Sequence, residues 1–347
     1  IYDSDGAFMD DGAEAIKAYS DILMWTSNLS GVVPQISVVA GVCAGSAALA
    51  ACSADFVVIT DDGELYTSPV KNIKGEDAVA NGTAALSAKD GNEAMEKVKK
   101  LVAMLPANNI SAAPMFEFSE TGKAVSGTAE EMAAAAADAD SVIELSAGFG
   151  KAAYTAMATI SGSAVGIAAT NKTADKLTSD DCAKLARFVR TCDAFSIPVL
   201  TFIDTEGFDS DVCVRDMAKI SGVYAETTSL KISVVSGKAY GAAMAAFGAG
   251  NADVTYAYPD SVIAPIAPVA AVEFLWHDKL KGASDLAAER NKLAEKYADE
   301  NASAFDAAAK GCIDGIISAE EARAKIVSVL ELMNGKRMTN VSYTHIP

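Results

Sequence analysis

Histidine is scarce, with only His277 and His345 in 347 residues, far apart in sequence. A metal centre built on imidazoles is therefore not expected. The six cysteines, Cys43, Cys52, Cys182, Cys192, Cys213 and Cys312, include no CxxC pair. Scattered in this way, they fit buried thiols in a reducing cytoplasm better than disulfides or a zinc site. No apolar run combines the length and freedom from charge of a membrane span, and no signal peptide is visible. Positive charge is short: 28 Lys and Arg stand against 46 Asp and Glu, a formal net charge of −18. This balance argues against nucleic acid as a partner. It leaves room for a phosphate-bearing small molecule held by local lysines and by backbone N–H groups; Lys231 and Lys238 are candidates, although a solvated face is the plainer role for exposed lysines.

What the chain has in abundance is small and apolar residues, and one stretch of them occurs twice. Residues 34–59 read PQISVVAGVCAGSAALAACSADFVVI, and residues 230–256 read LKISVVSGKAYGAAMAAFGAGNADVTY. Ile36, Ser37, Val38, Val39, Gly41, Gly45 and Ala47 recur as Ile232, Ser233, Val234, Val235, Gly237, Gly241 and Ala243, a constant offset of 196 residues. Each copy reads as a buried strand, a glycine-bearing turn and a helix of small residues. A helix opening at Gly45 or Gly241 leaves unpaired N–H groups at its first turn, suited to an anion or a developing oxyanion. The plainer alternative is that small residues only permit tight helix–sheet packing. A second echo joins Asp3, Ser4, Asp5 and Gly6 to Asp204, Thr205, Glu206 and Gly207, at an offset of 201. The second copy is preceded by a strand over 165–170 and a helix over 180–194, whereas the first has nothing before residue 1. The expectation is that the first domain lacks its leading strands.

In chain order, apolar spacing predicts a helix over 14–28 and a strand over 33–39, a βαβ unit. Residues 65–84 read as a loop with short helical turns, and 92–105 as an amphipathic helix. Residues 111–127 are the linker candidate, which divides the chain into domains 1–118 and 119–347. Capping boxes open helices at Thr128, Thr178 and Ser318. Residues 142–160 read as helical, 162–170 and 197–203 as strands, and 284–310 as one long polar helix. Strand and helix alternate in both halves, so the fold class is α/β.

Six segments together carry a resemblance: DSDGA (3–7), PQISVVAGVCAG (34–45), KLARFVRTCDAFSIPVLTFIDTEGF (184–208), GKAYGAA (237–243), YAYPDSVIAPI (256–266) and AAKGCIDGIIS (308–318). In this order the chain resembles the carboxyltransferase subunit of biotin-dependent acyl-CoA carboxylases and decarboxylases. The resemblance implies two tandem crotonase-like domains related by a pseudo-twofold. It implies carboxyl transfer between biotin and the α-carbon of a short-chain acyl-CoA, with negative charge developing on one oxygen of each partner. Two oxyanions call for two sets of fixed donors, and the duplicated turn supplies one per domain. By position, the family's pairs of backbone N–H groups fall on Gly45 and Ser46, and on Ala242 and Ala243. Gly41, Cys43, Ala44, Tyr240, Gly241 and Ala245 would line the substrate, Ala245 leaving space for the acyl chain. The family has Gly-Gly where this chain has Gly-Ser, and Gly-Gly-Ala where it has Gly-Ala-Ala, which narrows the approach.

No biotin-attachment sequence and no ATP-binding carboxylase domain is present. Biotin would therefore arrive on a carrier protein or domain, alongside a biotin carboxylase or a membrane decarboxylase subunit. The resemblance further implies a homo-oligomer, dimer or hexamer, with sites at the dimer interface and no metal. Two other readings stand beside it. A crotonase-type hydratase or isomerase needs a positioned carboxylate near the turn; neither copy offers one within it. A catalytically weak scaffold member would be consistent with the substituted turns.

Overall fold

The computed structural model describes residues 1–68, 71–212, 214–281 and 283–336. Cys213, His345 and, within the expected loop, Pro69 and Val70 lie outside the described residues.

The first half builds β1 (Tyr2–Ser4), α1 (Ala13–Leu29), β2 (Ile36–Ala44), α2 (Ser46–Cys52), β3 (Phe56–Thr60), β4 (Glu64–Ser68), β5 (Lys71–Lys74), α3 (Gly75–Ala80), β6 (Leu86–Ala88) and α4 (Gly91–Met104). Its sheet runs β5-β4-β2-β3-β6, with β1 also paired to β2, and only β4–β5 is antiparallel. The stretch expected to be a loop is thus a strand pair followed by a short helix. Alternation explains β4: Leu65 is buried, while Glu64 and Tyr66 on the other face are half-exposed.

The second half adds α5 (Ala129–Ala136), β7 (Ile143–Glu144), β8 (Tyr154–Ile160), β9 (Ser163–Ala169), β10 (Lys176–Leu177), α6 (Ser179–Ala194), β11 (Val199–Thr205), β12 (Gly207–Phe208), α7 (Val214–Glu226), β13 (Lys231–Tyr240), α8 (Ala242–Phe247), β14 (Val254–Ala257) and β15 (Val262–Ala264). It closes with α9 (Pro268–Leu275), α10 (His277–Leu280), α11 (Leu286–Asn301), α12 (Ala304–Ala309), β16 (Gly315–Ile316) and α13 (Ala319–Leu332). The sheet runs β16-β14-β13-β11-β9-β8-β7, with β15 also on β13.

Two further expectations are corrected here. Residues 142–160 are not helical: they hold β7 and the fully buried β8, which pairs antiparallel with β9. Their helix-forming alanines and methionine are overruled by burial in a sheet covered on both faces. Ser161 and Gly162, both at positive φ (51° and 76°), close the hairpin. The long polar helix is two helices, because Ser303 caps α12 by accepting from the Asp306 N–H at 3.2 Å. The three expected capping boxes are all formed.

The repeat is structural. In the first copy β2 changes partners midway: residues 36–39 pair with 56–59 of β3, and 42–44 with 64–66 of β4. In the second, β13 pairs 232–235 with 254–257 of β14, then 238–240 with 262–264 of β15. Tyr2 lies opposite Val39 and Ser4 opposite Cys43; Ile203 lies opposite Val235 and Thr205 opposite Ala239. A register irregularity falls between the members of each set, so even the defect is duplicated. Side chains agree as well. Gln35 donates to the Thr26 carbonyl near the end of α1, and Lys231 donates to those of Tyr224 and Thr227 at the end of α7. Asp55 accepts from the N–H of Gln35, and Asp253 from that of Lys231.

The halves share one apolar core, in which Phe56, Leu101 and Met104 pack with Leu185, Phe188 and Phe195. Residues 115–120 already run along the second sheet, with Phe116 N–H donating to Gly162 O and Met115 bridging to Ser163.

Candidate active site

Each turn is made by one glycine whose torsions exclude a side chain. Gly45 sits at φ 58°, ψ −124°, and Gly241 at φ 50°, ψ −119°. The N–H of each glycine is spent on the neighbouring strand: Gly45 donates to Tyr66 O at 2.7 Å, Gly241 to Ala264 O at 2.9 Å. These two bonds lock β2 to β4 and β13 to β15 at the point where the chain turns into a helix.

The donors that remain belong to the first helical residues, whose N–H groups have no carbonyl one turn back. They are Ser46 and Ala47 in the first copy, and Ala242 and Ala243 in the second. Of the pair Gly45 and Ser46 expected from the sequence, the Gly45 N–H is engaged with Tyr66 O, and the repeat places Ala242 and Ala243 at the positions of Ser46 and Ala47. Ser46 and Ala242 are exposed at the mouths of the turns, while the Ala47 and Ala243 methyls are buried against the sheets.

The other expected site residues divide. Gly41 and Gly237 are glycines because a carboxylate occupies the place of their side chains. A Cβ on Gly41 would fall 2.1 Å from Asp3 Oδ1, and one on Gly237 2.4 Å from Asp204 Oδ1. Asp204 accepts from the Lys238 N–H at 2.8 Å and from Asn171 Nδ2 at 2.9 Å, so it holds the strand end. Cys43 is buried within the first sheet's core and its thiol faces away from solvent; burial pushes its pKa up from 9.0 to about 11. Ala44 is half-buried against Gly6. Tyr240 packs beneath α9 and α11 with Val272, Leu293 and Tyr297, which also raises its pKa, and so it fills space in the core. Ala245 is exposed on the outer face of α8. Its counterpart by the repeat, Leu49, is 58% exposed beside the other turn and went unnoticed in the sequence.

Neither expected lysine is free. Lys231 is buried, with Nζ 2.7 Å from Tyr224 O and 2.9 Å from Thr227 O, and burial lowers its pKa. Lys238 pairs with Glu206 at 3.1 Å and Asp175 at 3.7 Å. The cysteines depart from expectation at Cys312, which is exposed. Among the described residues no three His, Cys, Asp or Glu side chains gather to hold a metal, and no helix is long and apolar enough to cross a membrane.

One polar cluster beside the first turn carried no sequence signal. On the β4–β5 pair, Glu64 accepts from the Tyr66 hydroxyl and lies 3.0 Å from Lys74, while Asn72 donates to the same hydroxyl at 3.4 Å. The Tyr66 hydroxyl, Lys74 and Asn72 hold the Glu64 carboxyl down to about 2.

Known proteins agree with this architecture. The carboxyl transferase domain matches residues 1–345. The chain is 31% identical over 377 aligned positions to the methylmalonyl-CoA decarboxylase subunit alpha of Propionigenium modestum, covering 97% of this chain and 73% of the relative. It is 32% identical over 386 positions to the methylmalonyl-CoA carboxyltransferase 12S subunit of Propionibacterium freudenreichii subsp. shermanii, covering 99% and 73%. Among solved structures, the transcarboxylase 12S hexamer with methylmalonyl-CoA and methylmalonic acid bound superposes with a TM-score of 0.92 at 29% identity, covering 100% of this chain and 74% of that one. A single-chain, multi-domain long-chain acyl-CoA carboxylase, at 20% identity and a TM-score of 0.78 over 93% of this chain and 35% of that one, shares the fold. The α/β architecture, the doubled turn and these matches lead to one assignment: the chain belongs to the carboxyl transferase family.

Proposed function

We propose that this chain moves a carboxyl group between biotin, carried by a partner protein, and the α-carbon of a short-chain acyl-CoA of the propionyl/methylmalonyl class. The observation that carries the reading is the pair of equivalent turns, each presenting unpaired N–H groups at a helix start whose first residue, Ser46 or Ala242, is exposed. Bound biotin supplies the carboxyl group and an oxygen that bears charge as the group leaves or arrives. This chain's residues fit that demand by offering fixed donors where charge develops, with no side chain that must change protonation state. Ser46 and Ala47 would hold one oxygen, Ala242 and Ala243 the other; which turn takes the thioester and which the biotin is part of the test below. Leu49 and Ala245 flank the two approaches with side chains of different size, and so distinguish the two ligands by space.

The domains are taken as 1–118 and 119–347, working as a homo-oligomer in which the first domain of one chain faces the second domain of its neighbour. The relative solved as a hexamer supports a homo-oligomer. Within one chain α2 is backed by α1 and α8 by α7, so the two turns rest on separate supports. The reaction runs in either direction through the same groups, and both carboxylase and decarboxylase subunits stand among the relatives. The test is turnover of methylmalonyl-CoA by the purified chain with free biotin as carboxyl acceptor. Biotin-dependent formation of propionyl-CoA is expected. Hydration or isomerisation of an enoyl-CoA without biotin dependence would replace this reading with the crotonase-type one.

A further inference from the structure

Where the two halves meet, α6 lies across the carboxyl ends of α1 and α2 and walls a cavity of about 410 Å³. Three cations line it, Arg187, Arg190 and Lys219, against one carboxylate, Asp55. This local excess of positive charge stands in a chain of net charge −18. Two of the four groups are occupied. Arg187 donates from Nη2 to Ala54 O at 2.9 Å and to Asp55 O at 3.4 Å, bracing the end of the α2 turn, and Asp55 Oδ2 accepts from the Gln35 N–H at 2.8 Å. Arg190 and Lys219 enter none of the ion pairs among the described residues. A second cavity of about 300 Å³ shares Cys52 and Arg187 with the first and is walled by Ala48, Leu65 and Ile73. Ala48 lies in the first turn of α2, beside Ser46 and Ala47. A seven-residue helix spans roughly 10 Å, so the two cavities lie along α2, the cationic one at the end of the helix away from the turn.

We propose that the Arg187–Arg190–Lys219 cleft is an anion site that takes the phosphate groups of an organic phosphate. A diphosphate suits two unpaired cations on adjacent helices, since each can meet one phosphate while Arg187 keeps its backbone bonds. The phosphates come from one of two sources: the nucleotide end of the CoA thioester itself, which rests on the function proposed above, or a separate phosphate-bearing effector. The shared chemistry is tested first. Calorimetric titration of the intact oligomer with inorganic pyrophosphate at low salt is expected to show saturable binding, weakened at least tenfold in the Arg190→Ala/Lys219→Ala double variant. Both side chains are at least partly exposed; if the double variant unfolds, the single Arg190→Gln and Lys219→Gln variants replace it. No binding to the wild type, or equal binding to the variants, overturns the site. Two substrates then separate the sources. A tenfold rise in KM for methylmalonyl-CoA, with the KM for the corresponding pantetheine thioester unchanged, assigns the phosphates to CoA. Unchanged KM for both, with pyrophosphate binding lost, assigns the site to an effector. Should the wild type lack carboxyl transfer altogether, the function fails, and the pyrophosphate titration still decides the site.

Discussion

Helices α1 and α7 occupy the same place in the two copies, each leading into the strand that ends in a glycine turn, yet they are finished differently. Helix α7 buries Ile220, Val223 and Tyr224 and is packed by α6. Helix α1 buries none of its residues; Ile16 is 68% and Trp25 61% exposed. In the second half β9 pairs with β11 and α6 covers α7, while the first half has no counterpart of these elements among the described residues. Beyond the turn the contrast is repeated: β15 lies under α9 and α11, whereas the matching β4 carries the polar Glu64–Tyr66 face. What the duplication holds constant is the strand, the turn and the two bonds that lock it. What differs between the copies beyond the turn is the face over β4 and β15. The turn is kept in both copies, while the polar Glu64–Tyr66 face of β4 has no match on β15.

The equivalence of the turns is tested most severely by removing one donor from each. Proline is tolerated at the first position of a helix and has no N–H. Ser46→Pro and Ala242→Pro should each lower kcat/KM about 10²- to 10³-fold, as loss of an oxyanion donor does elsewhere, with melting temperatures close to wild type. Mixing the two variants under conditions of subunit exchange should restore activity, up to roughly half per mixed dimer if a site draws one turn from each chain. No recovery, with mixed dimers verified by mass spectrometry, would mean that each chain holds a complete site within itself.

The glycines themselves should not be equivalent. A Cβ on Gly45 meets nothing within 4 Å, whereas one on Gly241 would fall 2.7 Å from Pro265 O. Both alanine variants suffer backbone strain of roughly 1–3 kcal/mol, and Gly241→Ala adds a clash of about 1–3 kcal/mol against backbone that cannot turn aside. Urea melts should rank Gly241→Ala as the less stable by that margin; equal losses would show that β15 yields as freely as open space. A smaller difference of the same kind separates Gly237→Ala from Gly41→Ala. Asp204 is pinned by two hydrogen bonds and must give them up, about 1–2 kcal/mol, while the exposed Asp3 has room to swing outward.

Much of this was legible in the primary structure. Val38 and Val39 with Gly45, and Val234 and Val235 with Gly241, announced two strand–turn–helix units, and Thr128, Thr178 and Ser318 announced their helices. The failures have physical causes. Residues 154–160 read as helix because alanine and methionine favour it locally, while the strand is imposed by neighbours on both sides; the Ser161-Gly162 dipeptide was the available signal. The engagement of the Gly45 N–H with Tyr66 O could not be read from the sequence, because only the pairing of β4 with β2 brings that carbonyl to the turn. The Glu64–Tyr66–Lys74 cluster was invisible because its members meet through cross-strand register. Lys231, read as an exposed lysine, is instead buried and caps α7, and Tyr240, which could touch biotin or simply pack, packs under α11.

Cys43 offers the gentlest test, because its counterpart by the repeat is Ala239, so Cys43→Ala makes the first copy resemble the second. The thiol is 1% exposed, and burial raises its pKa from 9.0 to about 11. In the unfolded chain it loses its proton near pH 9, while in the folded chain it keeps it to about pH 11. Between these values the folded state binds more protons than the unfolded state, so its contribution to stability is fully present below pH 9 and is lost as pH rises through 11. The loss should be on the order of 2 kcal/mol. Cys43→Ala removes that term. Its stability at neutral pH will shift by whatever the smaller side chain costs in packing, but urea melts between pH 8 and pH 11 should show a shallower decline than wild type. The buried thiols and phenols other than Tyr2, whose pKa is raised by burial and by Cys43, decline alike in both proteins and cancel in the comparison. Parallel curves would mean that the Cys43 thiolate reaches solvent without unfolding, and that the strand leading into the first turn opens where the one leading into the second does not.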